Sequence, residues 1–169
     1  MDTLQNMRAF SSVAEAGSFT AAARLLDSKW GPMLSPEERN WVWGSIGRQA
    51  AQKLSPQAFG YFANVSKNGD LTDDMLAWKA RAALRAGPRW PVLLSAINAM
   101  APDTRDDPTW VYWRARALKA TARSDADRAV AQRLFEGIAG VRGFYEQLAL
   151  EELGQRITVP PAPAPLTTE

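Results

Sequence analysis

Three tryptophans stand at a fixed interval. Trp43, Trp78 and Trp113 are 35 residues apart, and Leu148 falls one further step of 35 along the chain. The surroundings match as well, with Trp78-Lys79-Ala80-Arg81-Ala82-Ala83-Leu84 set against Trp113-Arg114-Ala115-Arg116-Ala117-Leu118. One helical turn after each tryptophan comes a small residue: Gly47, Ala82, Ala117. A period of this length, carrying a large residue followed by a small one, is what stacked helical hairpins require. The indole fills the space between neighbours, and the small residue lets the next helix come close. A single hairpin cannot bury its apolar face alone, so stacking has to make the core. The repeat predicts an all-α fold, an α-solenoid of stacked helical hairpins with a repeat of about 35 residues. Trp43, Trp78, Trp113 and Leu148 are its expected repeat core.

Start and stop signals agree with helices throughout. Ser35 precedes Pro36 at a first helical position, with Glu37 and Glu38 in the first turn. Thr72 ahead of Asp73-Asp74 opens another helix, and Ser124-Asp125 a third. Asn68-Gly69, Ala86-Gly87-Pro88 and Ala101-Pro102 mark breaks. Period-two alternation of β-branched and aromatic residues is nearly absent, so no sheet is expected. Residues 1–27 read as a two-helix N-terminal extension divided at Gly17-Ser18. Residues 28–36, broken by Gly31, Pro32 and Pro36, form a connection, and 37–157 make the superhelical repeat domain. Residues 158–169 are a Pro-rich tail, expected to be extended and polyproline-like.

Composition narrows the chemistry. The 169 residues contain no Cys and no His, which removes thiol nucleophiles, disulfides, His bases and the commonest metal ligands. Acid–base work by carboxylates, Lys or Tyr survives this exclusion, but no catalytic, metal or cofactor-binding residue is assigned, and no cofactor is expected. Twenty Lys+Arg against eighteen Asp+Glu leave a net charge of +2, with no polybasic arm to favour nucleic acid or a membrane surface. Apolar runs such as Pro91-Val92-Leu93-Leu94 fall far short of the roughly 20 residues a membrane helix needs, so no membrane span is expected. The start, Met1-Asp2-Thr3-Leu4-Gln5-Asn6, lacks the basic and apolar regions of a secretion signal, and a cytoplasmic chain is expected.

Two resemblances cover different stretches. Met1-Asp2-Thr3-Leu4-Gln5-Asn6-Met7-Arg8-Ala9-Phe10, then Val13-Ala14-Glu15-Ala16-Gly17-Ser18-Phe19-Thr20-Ala21-Ala22-Ala23-Arg24-Leu25-Leu26, looks like the start of a LysR-type transcriptional regulator. The resemblance implies the opening helices of a winged helix-turn-helix, which makes a DNA-binding regulator the alternative reading. Such a motif needs a recognition helix next. Ser28-Lys29-Trp30-Gly31-Pro32 stands there instead, and residues 1–27 hold two cations, Arg8 and Arg24, against Asp2, Glu15 and Asp27. A phosphate-binding surface wants the opposite balance, so nucleic acid is not the expected partner.

From Leu34 to Pro165 the chain resembles a soluble lytic murein transglycosylase. The residues that carry this are Leu34-Ser35-Pro36-Glu37-Glu38-Arg39-Asn40-Trp41-Val42-Trp43-Gly44, the Trp78 and Trp113 segments above, Phe144-Tyr145-Glu146-Gln147-Leu148-Ala149 and Glu151-Glu152-Leu153-Gly154. The resemblance implies the superhelical, non-catalytic part of a periplasmic enzyme that cleaves peptidoglycan glycan strands. That family's catalytic Glu lies in a Glu-Ser pair, and no such pair occurs in these residues. The expectation is a non-catalytic superhelical module, truncated or chimeric, acting at most in wall or partner binding. Glu136, Glu146, Glu151 and Glu152 then read as solvated helix-face charges. Peptidoglycan is the candidate partner, with Trp41, Trp90, Trp110, Arg81 and Arg116 as candidate glycan contacts. Trp41 and Trp110 are assigned to helix faces other than the core one, and Trp90 to a Pro-flanked break. Uncapped solenoid ends also offer a route to an oligomer. The apolar positions Leu4, Met7, Phe10, Val13 and Phe19 suit N-terminal helices that dock on the first hairpin as a cap.

Overall fold

Helix starts are set locally, by side chains that accept from otherwise orphaned amides. Ser35 Oγ accepts from the Glu38 amide at 3.2 Å while the Ser35 amide donates back to Glu38 Oε2 at 2.7 Å, a reciprocal box that opens the helix Pro36–Gln52. Thr72 accepts from the Met75 amide, Asp107 from that of Thr109, and Ser124 from that of Asp127. The computed structural model describes residues 5, 7–9, 12 and 18–157. Among these the chain is all-α, with no strand, as the repeat anticipates. The LysR-like stretch lies partly, and the Pro-rich tail wholly, outside the described residues.

The chain divides into two compact units, Met1–Asp106 and Asp107–Glu169. The first contains α1 (Phe19–Leu25), a short wound segment kinked at Ser28, α2 (Pro36–Gln52), α3 (Ala58–Ala63), α4 (Asp73–Arg85), α5 (Trp90–Asn98) and α6 (Pro102–Arg105). The second contains α7 (Pro108–Thr121), α8 (Asp125–Ile138) and α9 (Phe144–Glu152).

In the first unit α2 pairs with α3 and α4 with α5, and the two leading helices pack side by side. They run parallel. Met75 at the start of α4 lies against Gly44 of α2, Arg48 further along α2 pairs with Asp74 at 3.0 Å, and Arg85 at the end of α4 reaches the Leu54 carbonyl just past the end of α2 at 3.4 Å. Trp43 and Trp78 occupy these two leading helices, so the 35-residue step is one hairpin. Gly47 explains the small residue one turn on. A Cβ there would meet the Phe62 ring at 2.9 Å, and Phe62 is fully buried against Ala50, Ala51, Ala58 and Ala82. Trp43 is buried and stacks on Tyr61 with centroids 6.4 Å apart. A buried polar clasp closes the side: Asn40 donates to Asp70 at 2.8 Å and accepts from the amide and hydroxyl of Ser66. At the front, α1 lies on α2, with Ala22 and Leu26 buried and Phe19 packed on the Phe62 cluster.

In the second unit α7 and α8 form a hairpin, and α9 packs on both. Trp113 and Leu148 again stand on leading helices, α7 and α9. Their core is Tyr112, Ala115, Phe135 and Ala149, with Trp113 and Leu148 half-buried at its edge.

Candidate functional site

The residues singled out from sequence are scattered over several helices. Trp41 on α2 is half-buried, and Trp90 is half-buried as the first residue of α5, with Pro91 in the opening turn. The expected break at Trp90 is thus a helix start, since proline fits the first turn, where its missing amide costs nothing. Trp110 is 6% exposed and so lies in the core, not on an outward face. The reason is geometric: residues three apart share a helix face, and Trp110 precedes Trp113 by three. Arg81 lies over the ring of its neighbour Trp78, 4.8 Å from the centroid, so this pair does come together. Trp78 itself is half-buried, flanking the Ala82 and Phe62 cluster.

Arg116 is drawn into an inner network of the second unit. It donates to the Tyr112 hydroxyl at 3.0 Å and pairs with Glu152 Oε1 at 2.9 Å. The Tyr112 bond, ahead of the Glu152 charge, pushes the guanidinium pKa above its ordinary value, so Arg116 stays charged. Lys119 pairs with the other oxygen, Oε2, also at 2.9 Å. Glu152 is therefore no solvated surface charge. Its side chain is 18% exposed and joins α7 to α9 through two cations. A sequence signal for this existed: Glu152 stands four beyond the repeat position Leu148, where Gly47, Ala82 and Ala117 stand in the earlier steps. That position faces the neighbouring helix.

Beside this network opens a groove of about 300 Å³, lined by Lys119, Arg128, Gln132, Phe135, Glu152 and Leu153, among others. Arg128 at its rim pairs with Asp125 at 2.6 Å. Both Glu152 oxygens already carry a cation, which suits a clasp between helices. The Glu146 carboxylate accepts from the Gly143 amide and so caps the start of α9 from one side only. Among the described residues no three acidic side chains gather as a metal site would need, and no helix is long and apolar enough to cross a membrane.

In the first unit, parallel leading helices, each with a tryptophan and a small residue one turn on, make a specific architecture. The chain is similar in fold to a lytic transglycosylase. The solved structure is that of an inactive mutant of the lytic transglycosylase Slt from Pseudomonas aeruginosa, with a TM-score of 0.66 and 24% sequence identity. The likeness covers 88% of this chain and 23% of that one, so the chain spans about a quarter of the length of Slt. No family model matches the chain, and no curated protein does. At this identity the likeness to Slt establishes the helical fold.

Proposed function

We propose that the chain is a non-catalytic helical module that holds peptidoglycan, as part of the same kind of machinery as the lytic transglycosylases. The observation that carries this reading is the shared fold with Slt over 88% of the chain. The state of the carboxylates supports the non-catalytic half. A glycosidic acid must stand beside a bound sugar in surroundings that keep its proton. Here Glu152 is taken up by Arg116 and Lys119, while Glu38 and Glu146 close helix caps. Trp41 and Trp90, half-buried on the first unit, retain ring surface that a sugar face could cover.

The test is incubation with isolated murein sacculi, followed by pelleting and mass spectrometry of the supernatant. Protein in the pellet, with no 1,6-anhydro sugar released, is the expected result. Anhydro product would make the chain an enzyme, and protein left wholly in solution would remove the wall as its partner.

A further inference from the structure

Charge in the first unit is sorted by helix end. No Asp or Glu occurs in residues 39–69 or in residues 75–102, whereas Glu37, Glu38, Asp70, Asp73 and Asp74 crowd the starts of α2 and α4. Because these helices run parallel, their ends share one side of the unit, and that side is basic. There Lys53, Arg81, Arg85 and Arg89 are all exposed. The packing gathers them around a single cluster. Lys53 lies 5.8 Å from the Phe19 ring centroid, Arg81 4.8 Å from that of Trp78 and Arg89 5.9 Å from that of Phe59. All three rings flank the buried Phe62 group, and Arg85 donates to the Leu54 carbonyl between them in sequence terms.

The helix ends themselves are closed by backbone bonds. The end of α2 is closed by its own backbone, with Leu54 left-handed at φ 58° and the Ser55 amide bonded to the Ala50 carbonyl at 2.9 Å. The end of α4 is closed likewise, with Gly87 at φ 83° and the Arg89 amide bonded to the Ala83 carbonyl. We infer that this basic end of α2 and α4 is a docking surface for an acidic peptide, a chain whose successive carboxylates meet Lys53, Arg81, Arg85 and Arg89. Guanidinium groups match carboxylates in shape as well as charge. A single-stranded nucleic acid would need open ring faces for its bases to stack on. Phe19, Phe59 and Trp78 each already have a cation against the ring and a core contact behind it.

The inference is independent of wall binding and can be tested without sacculi. The probe is fluorescein-labelled hexaglutamate, titrated with the whole chain at about 0.1 M salt, where the Debye length is about 10 Å, and read by anisotropy. Saturable binding is expected, with Arg85→Gln/Arg89→Gln about fivefold weaker, the sum of two exposed charge pairs. A control of equal charge change near the helix starts of the same unit, Arg39→Gln/Lys67→Gln, should stay within about twofold of the wild type, since screening confines the effect to nearby charges. Lys53→Gln/Arg81→Gln serves as a second variant should the first fail to fold. No saturable binding, an equal loss in the control, or tighter binding of a thymidine hexanucleotide would each overturn the proposal.

Discussion

Lys79 illustrates how a single residue couples burial to pH. It lies on α4 at 6% exposure, its ammonium donating to Asn68 Oδ1 at 2.7 Å, and Asn68 in turn donates to Ser95. Burial pulls the Lys79 pKa below its ordinary 10.5, because a desolvated ammonium is disfavoured. Between the lowered folded value and 10.5 the unfolded chain binds more protons, so this group makes stability rise with pH in that window. Lys79→Met should lose that rise. Melting temperatures of both proteins across the alkaline range check it, and a constant difference between them would refute it. Gly47 gives a second residue-scale prediction. Gly47→Ala drives a methyl to 2.9 Å from the fully buried Phe62 ring, and overpacking of this kind costs about 1–3 kcal/mol in denaturant unfolding. Gly60→Ala, in α3 with nothing within 4 Å of the added carbon, should stabilise by roughly 0.5–1 kcal/mol through helix propensity.

Elements owe their boundaries to caps, and one of these is titratable. Asp127 accepts from the amides of Arg123 and Ser124, each at 3.0 Å, and closes the start of α8. The Arg123 amide first, then Ser124, holds its pKa below the ordinary 3.8. A carboxylate depressed in the fold contributes stability above its unfolded value, and loses it as pH falls through the folded one. The first turn of α8 should therefore loosen below pH 3.8 in the wild type, while Asp127→Asn starts looser and changes less with pH over that range. Amide exchange in residues 125–128 is the measurement. These caps are legible in the sequence because they depend on three or four consecutive residues, as at Ser35, Thr72 and Ser124. The Trp90 start was misread because Gly87-Pro88 and Pro91 look like one continuous break, whereas proline in a first turn begins a helix.

At the scale of the molecule, the first hairpin of a solenoid needs a cover for its open face. In the first unit α1 supplies it, with Ala22 at 0% and Leu26 at 3% exposure and Phe19 set on the cluster below. Removing residues 1–27 should lower the melting temperature or cause aggregation. The milder Leu26→Ala should cost about 2–5 kcal/mol, the usual range for a truncated core leucine. An unchanged melt in both would show that α1 does not act as a cap.

Helical class, the helix starts and the 35-residue step from Trp43 to Trp78 can be read from the order of residues alone, because capping and periodicity are written in neighbouring residues. Which members of the pattern lie deepest was decided only by packing. Trp43 is buried while Trp78, Trp113 and Leu148 are half-buried, and Trp110, expected outside, lies within. Glu152 became an ion-pair clasp because α7 and α9 bring Arg116 and Lys119 to it across more than thirty residues. The basic end has the same origin. The absence of acids from two stretches is visible in one dimension, but only the parallel packing of α2 and α4 brings their cations to one surface.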